Sequence, residues 1–221
     1  MVERQLPKLH TRVRFPSPAP SPPFEAEKGG ILTGTVAPRD SSRDGLLKTG
    51  AAGVGTGILT PLIQPVIDHI NGSPGDLRIA LLAVPFAILV LVLIQIDSDN
   101  PWWAALLGAI VTLIAFVCAV NAAIWIDGQI SGSEKVVRNI LSGLAGGFVG
   151  SGVMAVGISL LPAGPRDPLA WLPMLVIGTS AGALLALDNA LNFDLLSTLY
   201  PVWQAGVAIC LAMALRRTHH A

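Results

Sequence analysis

The sequence predicts an all-α fold: a polytopic bundle of transmembrane helices behind a polar, disordered N-terminal tail. Three observations predict it. Charge is unevenly placed: of the 28 Asp, Glu, Lys and Arg residues, 13 lie in the first 48 positions and 15 are spread over the other 173. Five stretches carry no charge: Ile79 to Ile96, Pro101 to Ile126, Asn139 to Pro165, Pro168 to Leu187 and Leu195 to Leu215. Each approaches or exceeds the roughly 20 residues that a helix needs to cross a hydrocarbon core about 30 Å thick. Helices are the expected form, because a lone helix satisfies its own backbone in lipid and an open strand does not. Third, tryptophans bracket the second stretch. Trp103 and Trp125 stand about 33 Å apart along a helix rising 1.5 Å per residue, the separation of two interfacial aromatic belts. Trp171, Tyr200 and Trp203 lie near the starts of the last two stretches and fit the same pattern.

Residues 1–44 form the tail. They bury too little apolar surface to offset the entropy of ordering, so disorder is expected. The first 30 residues contain no apolar core for a signal peptide. The stretch "RVRFPSPAP" back-translates to bases that resemble a transfer-RNA T-arm followed by a CCA end. "MVER" and "QLPKLH" back-translate to a D-loop-like segment and a hairpin carrying a glycine anticodon. Residues 1–20 are therefore expected to be a mistranslated tRNA gene, with the true start downstream.

Residues 45–72 are rich in glycine and interrupted by Gln64, Pro65 and Asp68. Thr60 reads as an N-cap with Pro61 at the first helical position, and Asn71-Gly72 as a stop. Thr60, Gln64 and Asp68 recur every fourth residue and make one polar stripe. An amphipathic helix on the membrane, or a re-entrant one, fits this better than a crossing. Residues 77–217 hold the bundle proper, with spans at about 77–96, 101–126, 139–162, 168–187 and 197–215. That gives five crossings, or six if residues 50–71 also cross. Lys and Arg set the orientation. Arg78, Lys135, Arg138 and the tail outweigh Arg166, Arg216 and Arg217, so the N-terminus and the loop "DGQISGSEKVVRN" are expected in the cytoplasm. The expected location is the inner (plasma) membrane.

The motifs are sparse. "GTSAG", Gly178 to Gly182, matches the nucleophile-elbow pattern, but that motif needs a strand before it and a helix after it, with a His and an acid as partners. Here it lies within an apolar helical stretch, and all four histidines fall outside the five stretches. Small-residue packing explains Gly178 and Gly182 better. Gly143, Gly146 and Gly150 line one face of the third span, and Gly143/Gly147 and Gly146/Gly150 each form G-x-x-x-G. Such faces let two backbones approach closely. Ala155 points away from that row and is expected to face lipid. "GLLKTGAAGVGTGIL" and "NILSGLAGGFVGSGVM" are faintly alike, as in the inverted repeats of transporters.

Asp188 and Asn192, one turn apart, and Asp127 form the candidate polar site, because a carboxylate at a helix C-terminus opposes the dipole and suits a cation or proton. The bland reading is a solvated helix end paired with Lys135 or Arg138. Asn121, inside a span, should seek a partner on another helix. Cys118 and Cys210 read as buried thiols without the spacing of a metal site. No catalytic residue, metal or cofactor is indicated, and zero net charge gives no ground for a nucleic-acid partner. The sequence thus points to a small-solute or ion transporter or channel component. The alternatives are a non-transporting scaffold or accessory subunit and a phage holin-like pore protein. The partners expected are the lipid bilayer and, through the glycine faces, a second copy or another membrane protein. An enzyme is the least favoured reading.

Overall fold

The computed structural model describes residues 39–69, 75–191 and 197–218, and every regular element among them is a helix. The helices are α1 (Arg39–Leu62), α2 (Gln64–His69), α3 (Gly75–Leu82), α4 (Val84–Asp97), α5 (Trp102–Gln129), α6 (Lys135–Ser159), α7 (Pro168–Gly182), α8 (Leu184–Leu191) and α9 (Leu199–Thr218). Among the described residues, five stretches are long and apolar enough to cross a membrane: Arg43–His69, α5, α6, Pro168–Leu191 and Leu199–Arg217. The bent pair α3–α4 is a sixth if it crosses as one unit. The protein is a polytopic helical membrane bundle. The residues expected to be disordered or mistranslated lie outside the described segment up to position 38, while residues 39–44 belong to α1 rather than to the tail.

Two spans differ from the sequence reading. The first is α1. Thr60 is not an N-cap, because the helix runs on through Pro61 to Leu62. Its hydroxyl donates to the Thr56 carbonyl at 3.0 Å, and Thr49 and Thr56 donate in the same way to Gly45 and Gly53. These back-bonds satisfy hydroxyls that would otherwise be unpaired in a dry interior. The chain breaks only at Ile63 and resumes as α2, giving 27 residues in one span-length stretch instead of a short surface helix. The expected stop at Asn71-Gly72 lies outside the described residues.

The second is the stretch at 77–96, which is not one straight helix. It breaks at Ala83 and turns by 52°. Pro85 sits in the first turn of α4, where it lacks an N–H and its ring collides with the carbonyl one turn earlier.

The other spans follow ordinary helix chemistry. The Asp167 carboxylate caps α7 by accepting from the Leu169 N–H at 3.0 Å, with Pro168 in the first turn. α5, at 28 residues, is about 42 Å long. Phe86, Val90, Ile94, Met154, Ile158, Met174, Val207, Leu211 and Leu215 fill the core. Ile88, Ile96, Ile114, Val156, Leu172 and Val176 point outward and are exposed. An outward apolar girdle of that extent is a liability in water and a lipid contact in a bilayer. Ala155 does not belong to it, because it is buried within the core. Trp102, Trp103 and Trp125 are exposed at the two ends of α5, as belts require. Trp171 and Trp203 are core residues instead. Trp171 donates its indole N–H to the Pro165 carbonyl at 3.0 Å, and Trp203 meets Phe86 edge to face at 5.6 Å.

Polar pairs mark the two ends of the bundle. At one end the Arg216 guanidinium lies 3.0 Å from Asp97 and rests against Gly45, and the Ala163 N–H donates to Asn100 at 2.9 Å. At the other end Arg78 pairs with Asp68, Arg138 pairs with Asp127 at 2.8 Å, and Asn121 reaches across to Asp76 at 3.3 Å. The start of α1 therefore shares an end with the close of α9, and the loop between α5 and α6 occupies the opposite end. The sequence reading placed the tail and that loop on one side. The structure puts the start of α1 and that loop at opposite ends, because Arg43–His69 itself runs the length of the bundle; the tail up to position 38 lies outside the described residues.

Candidate functional site

The candidate site is a cavity of roughly 270 Å³ between α5, α6, the α7–α8 junction and the start of α9. Gly143, Gly146 and Gly147 of α6 form one wall, and Phe116, Ala119 and Ala123 of α5 form another. Leu199, Tyr200 and Trp203 form the floor, and the exposed Ile124 stands at its mouth. Tyr200 stacks on Phe116 with ring centroids 6.0 Å apart. Trp203 is buried where α4, α6, α7 and α9 converge, beside Phe86, Gly150 and Gly178. No lining side chain is charged.

The glycines explain how the walls come so close. A Cβ on Gly143 would collide with the Gly182 carbonyl, and one on Gly147 with the Gly178 carbonyl. On the neighbouring face, a Cβ on Gly146 would sit 2.9 Å from the Ala119 carbonyl oxygen, and one on Gly150 would sit 3.0 Å from the Ala119 methyl. All six glycines singled out in the sequence (Gly143, Gly146, Gly147, Gly150, Gly178 and Gly182) are buried at contacts inside this one chain. "GTSAG" is helical throughout, and its Ser180 is exposed with no histidine near it in sequence.

The polar residues picked out from the sequence do not converge on the cavity. Asp188 is buried, and its carboxylate accepts four hydrogen bonds at the start of α9: from Ser197 Oγ at 2.5 Å, Thr198 N at 2.8 Å, Thr198 Oγ1 at 2.6 Å and Leu199 N at 3.1 Å. It is an N-cap supplied by a different helix, so its charge meets the positive end of a dipole. Asp127 pairs with Arg138, and Asn192 lies outside the described residues. Among the described residues no three His, Cys, Asp or Glu side chains gather to hold a metal ion.

Sequence reasoning missed two polar features. One is Gln204, fully buried, whose Nε2 donates to Thr60 Oγ1 at 2.9 Å and whose Oε1 has no partner among the described residues. The other is the Asp97–Arg216 pair. The signal for the first was present, since Gln204 is a polar residue within an apolar span and such residues seek partners on other helices. Comparison with family models, curated proteins and solved structures gives no match for this chain.

Proposed function

We propose that this protein is a transporter or channel component for a small organic solute whose apolar part enters the cavity between α5, α6, α8 and α9. The observation that supports this reading most is the cavity itself: it lies among membrane-spanning helices, reaches the buried Trp203 and carries no charge in its lining. A dry apolar cavity of about 150 Å³ already accepts benzene, so roughly 270 Å³ suits a body of one ring or a short branched chain. Purely apolar molecules cross a bilayer unaided. The solute therefore carries a polar group as well, left at the open mouth near Ile124.

The chain crosses the plasma membrane six times in this reading. Arg43, Lys48, Arg166, Arg216 and Arg217 share one end of the bundle, against Arg78, Lys135 and Arg138 at the other. The positive-inside rule puts the first end, with both termini, in the cytoplasm.

The test is flux into liposomes reconstituted with the full chain, using radiolabelled apolar amino acids and small aromatic acids as probes. Wild-type protein is expected to raise uptake of at least one probe, and Ile124→Trp, a change at an exposed mouth residue, to abolish it. Equal uptake by both proteins and by protein-free liposomes would sink the proposal.

A further inference from the structure

The helix packing repeats itself upside down. α1 carries Thr49-Gly50-Ala51-Ala52-Gly53, then Gly57 four residues on. α6 carries Ser142-Gly143-Leu144-Ala145-Gly146, then Gly150 four residues on. The two helices run in opposite directions through the bundle, and each lays its glycine row on the last helix of the other half. Gly53 and Gly57 meet Ala205 and Pro201 of α9, where a Cβ on Gly53 would stand 2.6 Å from the Ala205 Cα. Gly146 and Gly150 meet Ala119 and Ala115 of α5. The middle segments exchange as wholes: α3–α4 packs on α1 and α5, as α7–α8 packs on α6 and α9, although α4 also touches α9 without a comparable counterpart contact in the other half. Each middle segment is also interrupted, though at different depths: at Ala83 after the 8 residues of α3, and at Ala183 after the 15 residues of α7.

We propose that residues 43–129 and 135–217 are inverted halves, and that the cavity has a mate, closed in this structure, between α1, α4, α5 and α9, which opens to the other side of the membrane as the cavity closes. This rests on the transport reading above. Exchanging the halves turns the cavity's walls α5, α6, α7–α8 and α9 into α9, α1, α3–α4 and α5. That region is filled here. Ile209 packs against Gly50, Ile94 packs against Gly108, and Thr60 holds Gln204. The Asp97–Arg216 pair fastens its outer end. The first turns of α5 have no equivalent in the shorter α9, so they cover the mate, and α4 and α5 must swing together to expose it. Pairing Ala205 with Ala119 and counting along both helices pairs Cys210 with Ile124. The mouth of the open cavity thus has a native thiol as its counterpart, and that thiol is buried.

The thiol supplies the experiment. In a Cys118→Ser background, the rate at which a water-soluble maleimide modifies Cys210 reports the closed side. A cysteine placed by Ile124→Cys, with Cys210→Ser added, reports the open side. Releasing the outer pair by Arg216→Gln, or from its other partner by Asp97→Asn, is expected to raise labelling of Cys210 several-fold and to lower labelling at position 124. A rise at both positions means general loosening and overturns the proposal, as does no change at either. Labelling needs no solute, so the two ideas fail separately. Flux without reciprocal labelling leaves a channel with one mouth. Reciprocal labelling without flux of any probe removes the transport reading and keeps the two states.

Discussion

The Arg216 guanidinium forks onto the Asp97 carboxylate, Nε to Oδ1 at 3.0 Å and a terminal nitrogen to Oδ2 at 3.4 Å, and so ties the last turn of α9 to the last residue of α4. Asp97 is nearly buried and Arg216 is about one-third exposed, so the pair is shielded on one side only. Its value for the fold is positional, because it fixes which chain segments share an end.

That relationship gives a topology prediction. Reporter fusions at Asn100, Gly164 and the C-terminus should all report the cytoplasm, and a fusion at Gly132 should report the opposite side. A Gly132 fusion reading the same side as the C-terminus would show that one of α6, the α7–α8 stretch and α9 does not cross.

The glycine contacts predict a sharp positional contrast in α6. Gly147→Ala forces a methyl against the Gly178 carbonyl, a backbone atom that cannot rotate away. It should destabilise the protein in detergent by about 1–3 kcal/mol, the usual range for overpacking. Val156→Leu, at an outward and exposed position, should leave the thermal midpoint unchanged. Equal midpoints for all three proteins would show that the α6–α7 contact is looser than described.

Thr60 and Gln204 predict an asymmetry. Thr60→Val strips Gln204 Nε2 of its acceptor while Oε1 already has no partner among the described residues, so a whole amide is left buried and unpaired among them. The loss should be about 1–3 kcal/mol. Gln204→Met keeps the volume and removes both polar ends, so it should be nearly neutral and should rescue Thr60→Val in the double variant. Denaturation midpoints of the four proteins decide it, and failure of the rescue would mean that Gln204 has a further partner.

Asp188 predicts local damage. Asn keeps one acceptor oxygen and turns an NH₂ toward N–H and O–H donors, so Asp188→Asn should weaken the cap by about 1 kcal/mol. Amide hydrogen exchange should speed up in the first turn of α9, at Tyr200, Val202 and Trp203, and stay unchanged in the middle of α5. Uniform acceleration everywhere would make Asp188 a global support rather than a cap.

Most of the bundle was legible because lack of charge over span-length stretches is a strong constraint. α5, α6, the α7–α8 stretch and α9 lie close to where the uncharged runs put them. α1 was read as a surface element because Pro61, Gln64 and Asp68 interrupt its apolar pattern. In the structure Gln64 stays exposed, Asp68 meets Arg78, and the hydroxyls beneath them bond their own helix. Partners on distant helices are invisible to a periodicity argument. The break at Ala83 had one local sign, Pro85, inside a run whose uniform apolarity hid it. The role of Asp188 was hidden for the same reason as that of Thr60: its partners start a different helix. The cavity had no signal of its own, since it arises where four glycines, three aromatic side chains and a late-starting helix come together.

The length of α9 has a consequence for the lipid around it. Its 20 residues rise about 30 Å, which is the thickness of an ordinary hydrocarbon core with nothing to spare. Asp188 clamps its first turn and Asp97 its last, so it has little freedom to tilt. Longer neighbours such as α5 can lean to suit a thinner or thicker bilayer, as spanning helices commonly do. α9 is therefore expected to act as a ruler, and the whole protein to work best in bilayers of one acyl-chain length.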